Sequence, residues 1–452
     1  MLIDPALISK YNTQGPRYTS YPTVPQWTAP FSSDYLQSSL SKVGQDLPLS
    51  LYVHIPFCEQ LCLFCGCHTI ITRSIETSWK YLKLLEIEFR LLAENFWKKP
   101  LIGQLHWGGG TPNFLSSEQI RYLFGQISDH FSFAADAEIS IECDPNVLAA
   151  EQLETLSELG FNRISFGLQD LDPTVQKTIN RIQTYEKTAE AVDHSRTLGF
   201  RGINIDLIYG LPYQTVESFR TTLELVSELS PDRIALYSFA YLPSIKVHQK
   251  AIPEEKIPKG GEKLAIFLEA LTHFSSCGME YIGLDHFAKR EDELSIARRN
   301  GKLWRNFMGY TVNKTGALFG TGVSGITMTD DNYAQNSVDR KSYESALLQG
   351  ILPIYRGIAL NDDDKLRRDV IQSLMCFGKV DLGRVGFPYG IESSSYFSKE
   401  MEALDPLAKD GLIRIDGTQI DVTDIGRLFV RNIAMLFDRY LEREAKSFSS
   451  TI

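Results

Sequence analysis

Residues 50–67 read Ser-Leu-Tyr-Val-His-Ile-Pro-Phe-Cys-Glu-Gln-Leu-Cys-Leu-Phe-Cys-Gly-Cys. Ser50 to Ile55 is a short apolar and β-branched run of the kind that forms a buried strand, and Pro56 interrupts it. Cys58, Cys62, Cys65 and Cys67 then fall within ten residues, separated by three, two and one positions. A dispersed disulfide framework does not bunch its thiols in this way, and the chain has seven cysteines, an odd number. Clustered thiols in a reducing compartment point to a metal. Three thiolates on one loop can hold three irons of a cubane cluster and leave the fourth iron open. The alternative is structural zinc with Cys67 or His68 as fourth ligand, although one intervening residue makes a tetrahedral wrap awkward.

Outward from this stretch, a strand-like run followed by a helical pattern recurs. The six runs are Ser50 to Ile55, Leu101 to Trp107, Ala137 to Cys143, Asn162 to Leu168, Ile203 to Tyr209 and Arg233 to Phe239. Helices between them show apolar stripes, as in Thr77 to Asn95 with Tyr81, Leu84, Leu85 and Phe89, and Thr215 to Leu229 with Phe219, Leu223 and Val226. Such alternation builds a parallel sheet, and six units are too few for an eight-fold barrel. The expected fold is α/β, a partial six-fold TIM-like barrel open on one side.

Four regions are expected. Residues 1–48 form an arm over the active site, with a short helix near Ser33 to Val43. Residues 49–290 form the barrel. Residues 291–360 are Gly-rich, aromatic and irregular, and close the barrel while serving cofactor or substrate. Residues 361–452 form a mostly helical, winged-helix-like domain. There the pattern predicts helices at Asp363 to Cys376 and Tyr396 to Leu407 and a hairpin turning at Asp416-Gly417. A long helix behind Thr423 is expected to carry Ile425, Leu428, Phe429, Leu436, Phe437, Tyr440 and Leu441 on one face.

Composition narrows the partners. Apolar residues make up 43% of 452, enough for substantial cores, and the net charge of −10 provides no cationic field for nucleic acid or anionic lipid. The tail module is therefore expected to pack or dock rather than bind nucleic acid. The opening residues lack a basic head and an apolar stretch, and no run is long enough to span a bilayer, so a cytoplasmic protein without membrane contact is expected.

In barrels of βα units, reactive groups sit on loops after the strands. Those ends carry the cysteine loop, Gly108-Gly109-Gly110-Thr111, Glu142 with Asp144, Gln169-Asp170 with Arg181 beyond, Asp206, and Ala240. Any one of these could merely cap a helix or close a turn. Their joint placement on one rim favours a site. The glycine run lacks the Gly-Lys-Ser/Thr ending of a phosphate loop.

The Cys-X3-Cys-X2-Cys loop after a first strand, an aromatic before the third cysteine and a Gly-rich turn after the second strand resemble the radical S-adenosylmethionine (SAM) enzymes. Within them, the chain is similar to the oxygen-independent coproporphyrinogen III oxidase (dehydrogenase) family. The similarity runs through Tyr11-Asn12, Gly15 to Pro22, Tyr52 to Cys58, Leu105 to Pro112, Asn204 to Pro212, Asp285 to Ala288 and Leu407 to Leu412.

This resemblance implies that Cys58, Cys62 and Cys65 ligate a 4Fe-4S cluster whose open iron takes one SAM molecule. Tyr52, Gly109, Glu142 and Ile326 match positions contacting that cofactor, with Gly108 in the same turn. Phe64, Gly110, Thr111, Gln169, Arg181, Asp206 and Ala240 match positions around a second SAM. Cys67 is not expected to bind iron, and joins Tyr52 and Glu142 as a candidate catalytic residue. The implied reaction cleaves the cofactor's sulfonium to a 5′-deoxyadenosyl radical. That radical abstracts hydrogen from a propionate, and two rounds of decarboxylation turn coproporphyrinogen III into protoporphyrinogen IX, a step in heme biosynthesis.

The resemblance further implies an electron donor protein as partner, a small porphyrinogen substrate, and a monomer. Four substrate carboxylates call for cations, and Arg17, Arg305 and Arg163 are the candidates. His54 and His286 fit either proton transfer or a buried hydrogen-bonded role. Cys143, Cys277 and Cys376 fit small buried apolar positions. Arg305 to Thr311 resembles a family segment carrying Gln where this chain has Met308. A heme-binding chaperone built on the same core is the rival, disfavoured by Cys67 and the arm at Arg17 to Pro22.

Overall fold

Alternation along the first strand, Leu49–Ile55 (β1), sorts its side chains onto two unlike faces. Leu51, Val53 and Ile55 are fully buried under helices, while Ser50, Tyr52 and His54 form a polar row on the other face. The computed structural model describes residues 5–43, 47–312, 314–441 and 451. The expected regions 1–48 and 361–452 therefore extend partly outside the described residues. Two compact units divide the chain: residues 28–277 with 315–359, and residues 1–27 with 278–314 and 360–452.

In the first unit β1 is followed by Leu101–Gly109 (β2), Ser132–Cys143 (β3), Arg163–Gln169 (β4), Gly202–Tyr209 (β5) and Arg233–Ser238 (β6). All six pair in parallel and in chain order, as the six runs predict. Their outer faces, including Leu105, Trp107, Ile139, Ile141, Ile164 and Phe166, share one core with helix residues such as Leu85, Phe89, Ile120, Leu123 and Leu156. The helices start where the sequence supplies caps. Ser74 accepts from the Thr77 amide, and Ser116 forms a reciprocal box with Gln119.

The stretch expected to be irregular instead carries short strands and two helices, Glu293–Arg299 and Arg340–Leu348. Leu318–Thr321 (β7) pairs in parallel with β1, and Ile326–Met328 (β8), Asn332–Asn336 (β9) and Ile354–Ala359 (β10) continue the sheet antiparallel. One buried carboxylate ties this edge to the helix Ile75–Ala93. Glu88 accepts from the Gly322 amide (2.8 Å), the Asn336 amide (2.6 Å) and the Tyr343 hydroxyl (2.5 Å). Burial pushes its carboxyl up to about 7.

The second unit holds the helices Asp362–Phe377 and Ser398–Lys409 and the hairpin Ile413–Asp416 with Gln419–Val422, close to the expected positions. Its core gathers Leu366, Leu374, Leu404, Leu412, Ile420 and Phe437. The expected long terminal helix does not form. A short 3-10 turn, Gly426–Phe429, leads to Val430–Met435, which stops there. Asp438 is the physical reason. Its carboxylate caps the Tyr440 amide (2.9 Å) and accepts from the Tyr18 hydroxyl (3.0 Å), competing with continued helix. Residues 304–306 and 309–311 make a hairpin that turns at Phe307-Met308. Among the described residues no helix is long and apolar enough to cross a membrane.

Candidate active site

Pro56 ends β1, and Phe57–Cys58 pairs briefly with Ile70–Ile71, closing the base of the cysteine loop. The loop is pinned from two further places. On one side the Leu63 amide donates to Ile179 O (2.9 Å) and the Asn180 side chain to Leu61 O (2.8 Å). On the other, His248 Nε2 donates to Cys65 O (2.9 Å) and Lys246 Nζ to Cys67 O (3.1 Å). The backbone so held turns four free thiols toward a cavity of about 520 Å³. That volume lies within the range, about 300–1,000 Å³, typical of small-ligand sites.

The thiols are not equivalent. Burial pushes Cys58 up to about 11, against the Thr111 hydroxyl that donates to its Sγ at 3.4 Å. Burial also raises Cys62, opposed by the Arg181 charge. Cys65 is pulled down by hydrogen bonds from Cys67, whose amide stands 3.4 Å from its sulfur. The partner thiol, Cys67, is raised by the same contact.

The other walls come from the strand ends. Gly109 has φ +112°, and a Cβ there would stand 2.3 Å from His54 Nδ1. At Gly110 a Cβ would stand 2.6 Å from the Pro56 carbonyl carbon. Only glycine lets the end of β2 lie this close against β1. Glu142 reaches the same place from β3, accepting from the Gly109 amide (3.1 Å) and from His106 Nε2 (3.2 Å). Burial would raise its carboxyl, but those two donors and the His106 charge hold it below the ordinary value.

Asp206 on β5 accepts from Asn204 (2.7 Å) and Ser165 (3.2 Å), and is pushed up to about 7 by burial and then by the Glu142 charge. At the end of β4 the register slips between Gly167 and Gln169, and Gln169 adopts φ +70°, a conformation a non-glycine residue holds only when its surroundings enforce it. Arg181 pairs with Asp144 at 2.5 Å and donates to Gly167 O (2.9 Å), while its buried Nε has no protein partner.

The cavity thus gathers Cys58, Cys62, Cys65, Cys67, Phe64, Gly109, Gly110, Thr111, Glu142, Gln169, Arg181, Asp206 and Ala240. Tyr52, Gly108 and Ile326 do not line it. Tyr52 lies deeper, its hydroxyl donating to His54 Nδ1 (3.1 Å) and its ring stacked on His106 at 5.8 Å. Gly108 supports Glu142, whose Oε2 would stand 2.9 Å from a Cβ there. Ile326 lies with its backbone against Gly320, the register partner of Tyr52.

His54 is an interior hydrogen-bonded ring. Its Nε2 donates to His68 O (2.9 Å), and burial lowers it to about 4, so it stays neutral at physiological pH. Arg163 sits at the opposite end of β4, paired with Glu138 at 2.8 Å, and is not among the residues that line the cavity. Arg17 and Arg305 belong to the second unit. Arg17 pairs with Asp285, and Arg305, 3% exposed, donates to the carbonyls of Arg17 (3.2 Å) and Tyr18 (3.1 Å). Through Nη1 that guanidinium orders the arm's backbone, while its buried Nε has no hydrogen-bond partner among the described residues. Cys143 and Cys376 are buried as expected, whereas Cys277 is exposed. His106, the partner of Glu142, was not among the residues expected at the site, although period two places it on the row of Gln104 and Gly108.

The residues fit a cluster with bound SAM. On the pinned loop of three cysteines, Cys65 receives an N–H donor and Cys58 an O–H donor at sulfur, glycines clear the facing wall, and a buried Arg181 nitrogen awaits an acceptor. Among the described residues no three ligating side chains converge on one point fit for a single ion; the sulfurs of a cubane stand apart on separate irons.

Comparison with known proteins gives a consistent result. The radical SAM superfamily matches residues 52–226. The oxygen-independent coproporphyrinogen III oxidase of Escherichia coli strain K12 is 45% identical over 443 residues, covering 98% of this chain and 96% of that protein. The protein of the same name from Helicobacter pylori strain J99 is 40% identical over 454 residues, covering 100% and 99%. The solved structure of coproporphyrinogen III oxidase from Escherichia coli, a radical SAM enzyme, superposes with a TM-score of 0.92 over 97% of this chain and 99% of that one, at 44% identity. The α/β fold with six parallel strands is that of this structure.

Proposed function

The chain belongs to the oxygen-independent coproporphyrinogen III oxidases of the radical SAM superfamily, and from that premise we propose how its own residues divide the conversion of two propionates of coproporphyrinogen III to vinyl groups. The observation that carries the proposal is the convergence of Cys58, Cys62 and Cys65 with Gly109, Glu142 and Asp206 on one cavity. The three thiolates would hold a 4Fe-4S cluster. When bound, the cluster and SAM supply one-electron cleavage of the sulfonium and a radical able to abstract hydrogen from a propionate.

The chain's residues bind, orient and shield. Gly108, Gly109 and Gly110 keep the wall low enough for backbone groups to meet the cofactor. Glu142 would accept from its ammonium or ribose hydroxyls and Gly109 would complete that first position, with Tyr52 and Ile326 supporting the wall from behind it. A second SAM would lie among Phe64, Gly110, Thr111, Gln169, Arg181, Asp206 and Ala240. Arg181 Nε suits its carboxylate, because a charge-assisted hydrogen bond is worth most in a buried setting. Cys67, a thiol in the cavity wall that is not needed for iron, stands as a candidate catalytic residue. Arg17, charged and partly exposed, is the candidate for a propionate. The protein would act as a cytoplasmic monomer that receives electrons from a donor protein.

Protein reconstituted without oxygen and given reductant, SAM and coproporphyrinogen III should form protoporphyrinogen IX with 5′-deoxyadenosine. Tight heme binding without loss of carbon dioxide would overturn the oxidase assignment in favour of a chaperone.

A further inference from the structure

His106 projects from β2 into the polar interior, between Gln104 and Gly108 on the same face, with 18% of its side chain exposed. Its Nε2 stands 3.2 Å from Glu142 Oε1 and its Nδ1 2.7 Å from Ser140 Oγ. An ionised carboxylate can only accept, so Nε2 must carry a hydrogen. Ser140 Oγ also lies 3.1 Å from Leu105 O and can serve Nδ1 as donor or acceptor. The ring is held flat against Tyr52, with 20° between the planes.

Glu142 therefore receives one donor on each oxygen, both from β2: the His106 ring on Oε1 and the Gly109 amide on Oε2. Two donors fixed on one strand set the plane of the carboxylate. Its remaining lone pairs face the cavity, where 43% of the side chain is exposed. We propose that His106 is a positioning residue for SAM binding: its Nε2 hydrogen fixes the Glu142 carboxylate and aims its free lone pairs at the cofactor. The inference rests on the assignment of Glu142 as a cofactor contact.

Two substitutions separate the hydrogen bond from the packing. His106→Phe keeps a ring against Tyr52 but has no donor, whereas His106→Gln keeps a donor near the Nε2 position without the ring. Equilibrium dialysis of labelled SAM against cluster-loaded protein reads affinity without turnover, and iron content and melting temperature are measured alongside. His106→Phe should weaken binding about tenfold to a hundredfold, the size of a lost charge-assisted hydrogen bond, with iron content unchanged. His106→Gln should restore most of that affinity. Wild-type affinity in His106→Phe overturns the inference, and equal weakness in both variants overturns it in favour of ring packing. If His106→Phe is too unstable to load iron, His106→Leu takes its place with the same two outcomes. Glu142→Gln tests the underlying assignment separately. If it binds SAM as the wild type does, the contact assigned to Glu142 fails, and the inference falls with it.

Discussion

Glu138 and Glu142 lie four residues apart on β3 and so face the same side of the sheet, yet they are held in opposite ways. Glu138 is 14% exposed and paired on both oxygens, with Arg163 Nε at 2.8 Å and Gln104 Nε2 at 2.9 Å. Burial would raise its carboxyl, but the charges of Arg163 and Arg233 hold it down. Gln104 in turn accepts from Ser50, which reaches Thr315 at 2.9 Å, so the polar ladder at that end of the strands is closed. Glu142 is held down without a guanidinium, by a ring nitrogen and a backbone amide, and keeps lone pairs open to the cavity. Similar side chains thus build a floor at one end of the strands and a binding surface at the other. Besides exposure, 14% against 43%, the distinguishing feature is whether the hydrogen-bonding capacity has been used up inside the protein.

The largest expected contrast lies between the cysteine loop and everything below it. Cys62→Ser should leave the brown chromophore unformed and turnover unmeasurable, while the unfolding midpoint of the iron-free protein stays near wild type. A retained chromophore would remove Cys62 from the ligand set. Next, the two glutamates should trade places in a paired measurement. Glu138→Ala strands the buried Arg163 charge and should cost about 3–5 kcal/mol in urea unfolding, with turnover per folded molecule preserved. Glu142→Gln should change stability by about 1 kcal/mol or less but lower kcat/KM about a hundredfold, the equivalent of roughly 3 kcal/mol. If both variants lose stability alike, the contrast between floor and rim is wrong.

Gly109→Ala should fall between these. The methyl group would enter the space of His54 Nδ1 at a backbone angle that L-residues avoid, so the cost should be about 1–3 kcal/mol. The displaced ring would also release the Tyr52 hydroxyl, so SAM affinity should drop together with stability. Loss of affinity alone, at full stability, would mean that the wall is softer than the geometry implies.

This contrast also marks what the sequence could reveal. The six strands were legible because each run is short and apolar on one face, and the first, second and fifth are closed by Pro56, Gly108 and Gly210. The edge strands β7 and β8 were not, since residues 315–328 are glycine-rich and their strands are only three or four residues long, too short for a period-two signal. Glu88 carried a readable signal, because it continues the buried stripe of Tyr81, Leu85 and Leu92 at helical spacing, where an isolated carboxylate demands donors. The terminal helix failed in the opposite sense. Its apolar spacing was helical, but Asp438 offered the backbone a local partner that spacing does not register. Among the site residues, the pairing of Arg163 with Glu138 and of His106 with Glu142 depends on register between strands distant in sequence.

The smallest expected effect concerns pH, and it tests whether the open charge of Glu142 is felt by its neighbour. Asp206 is raised to about 7 in the fold, against roughly 3.9 for an unfolded aspartate, first by burial and then by Glu142. A carboxyl raised on folding binds its proton more tightly in the native state. Its favourable contribution is therefore complete below about pH 4 and is lost as pH rises through about 7. Asp170, raised to about 6, and Glu88, raised to about 7, add to this decline, while His54, lowered to about 4, and the pulled-down Cys65 thiol oppose it. Asp206→Asn should make that decline shallower, by on the order of 1 kcal/mol between pH 5 and 8, because a carboxyl facing a cavity gains less than its full shift. Glu142→Gln should flatten it partly by removing the neighbouring charge. Glu138→Gln should leave the Asp206 contribution in place, since Arg163 already balances that carboxylate at the floor. Thermal unfolding of the iron-free protein over this range measures all three variants, and parallel curves for wild type and Glu142→Gln would show that the rim charge is screened as fully as the floor charge is paired.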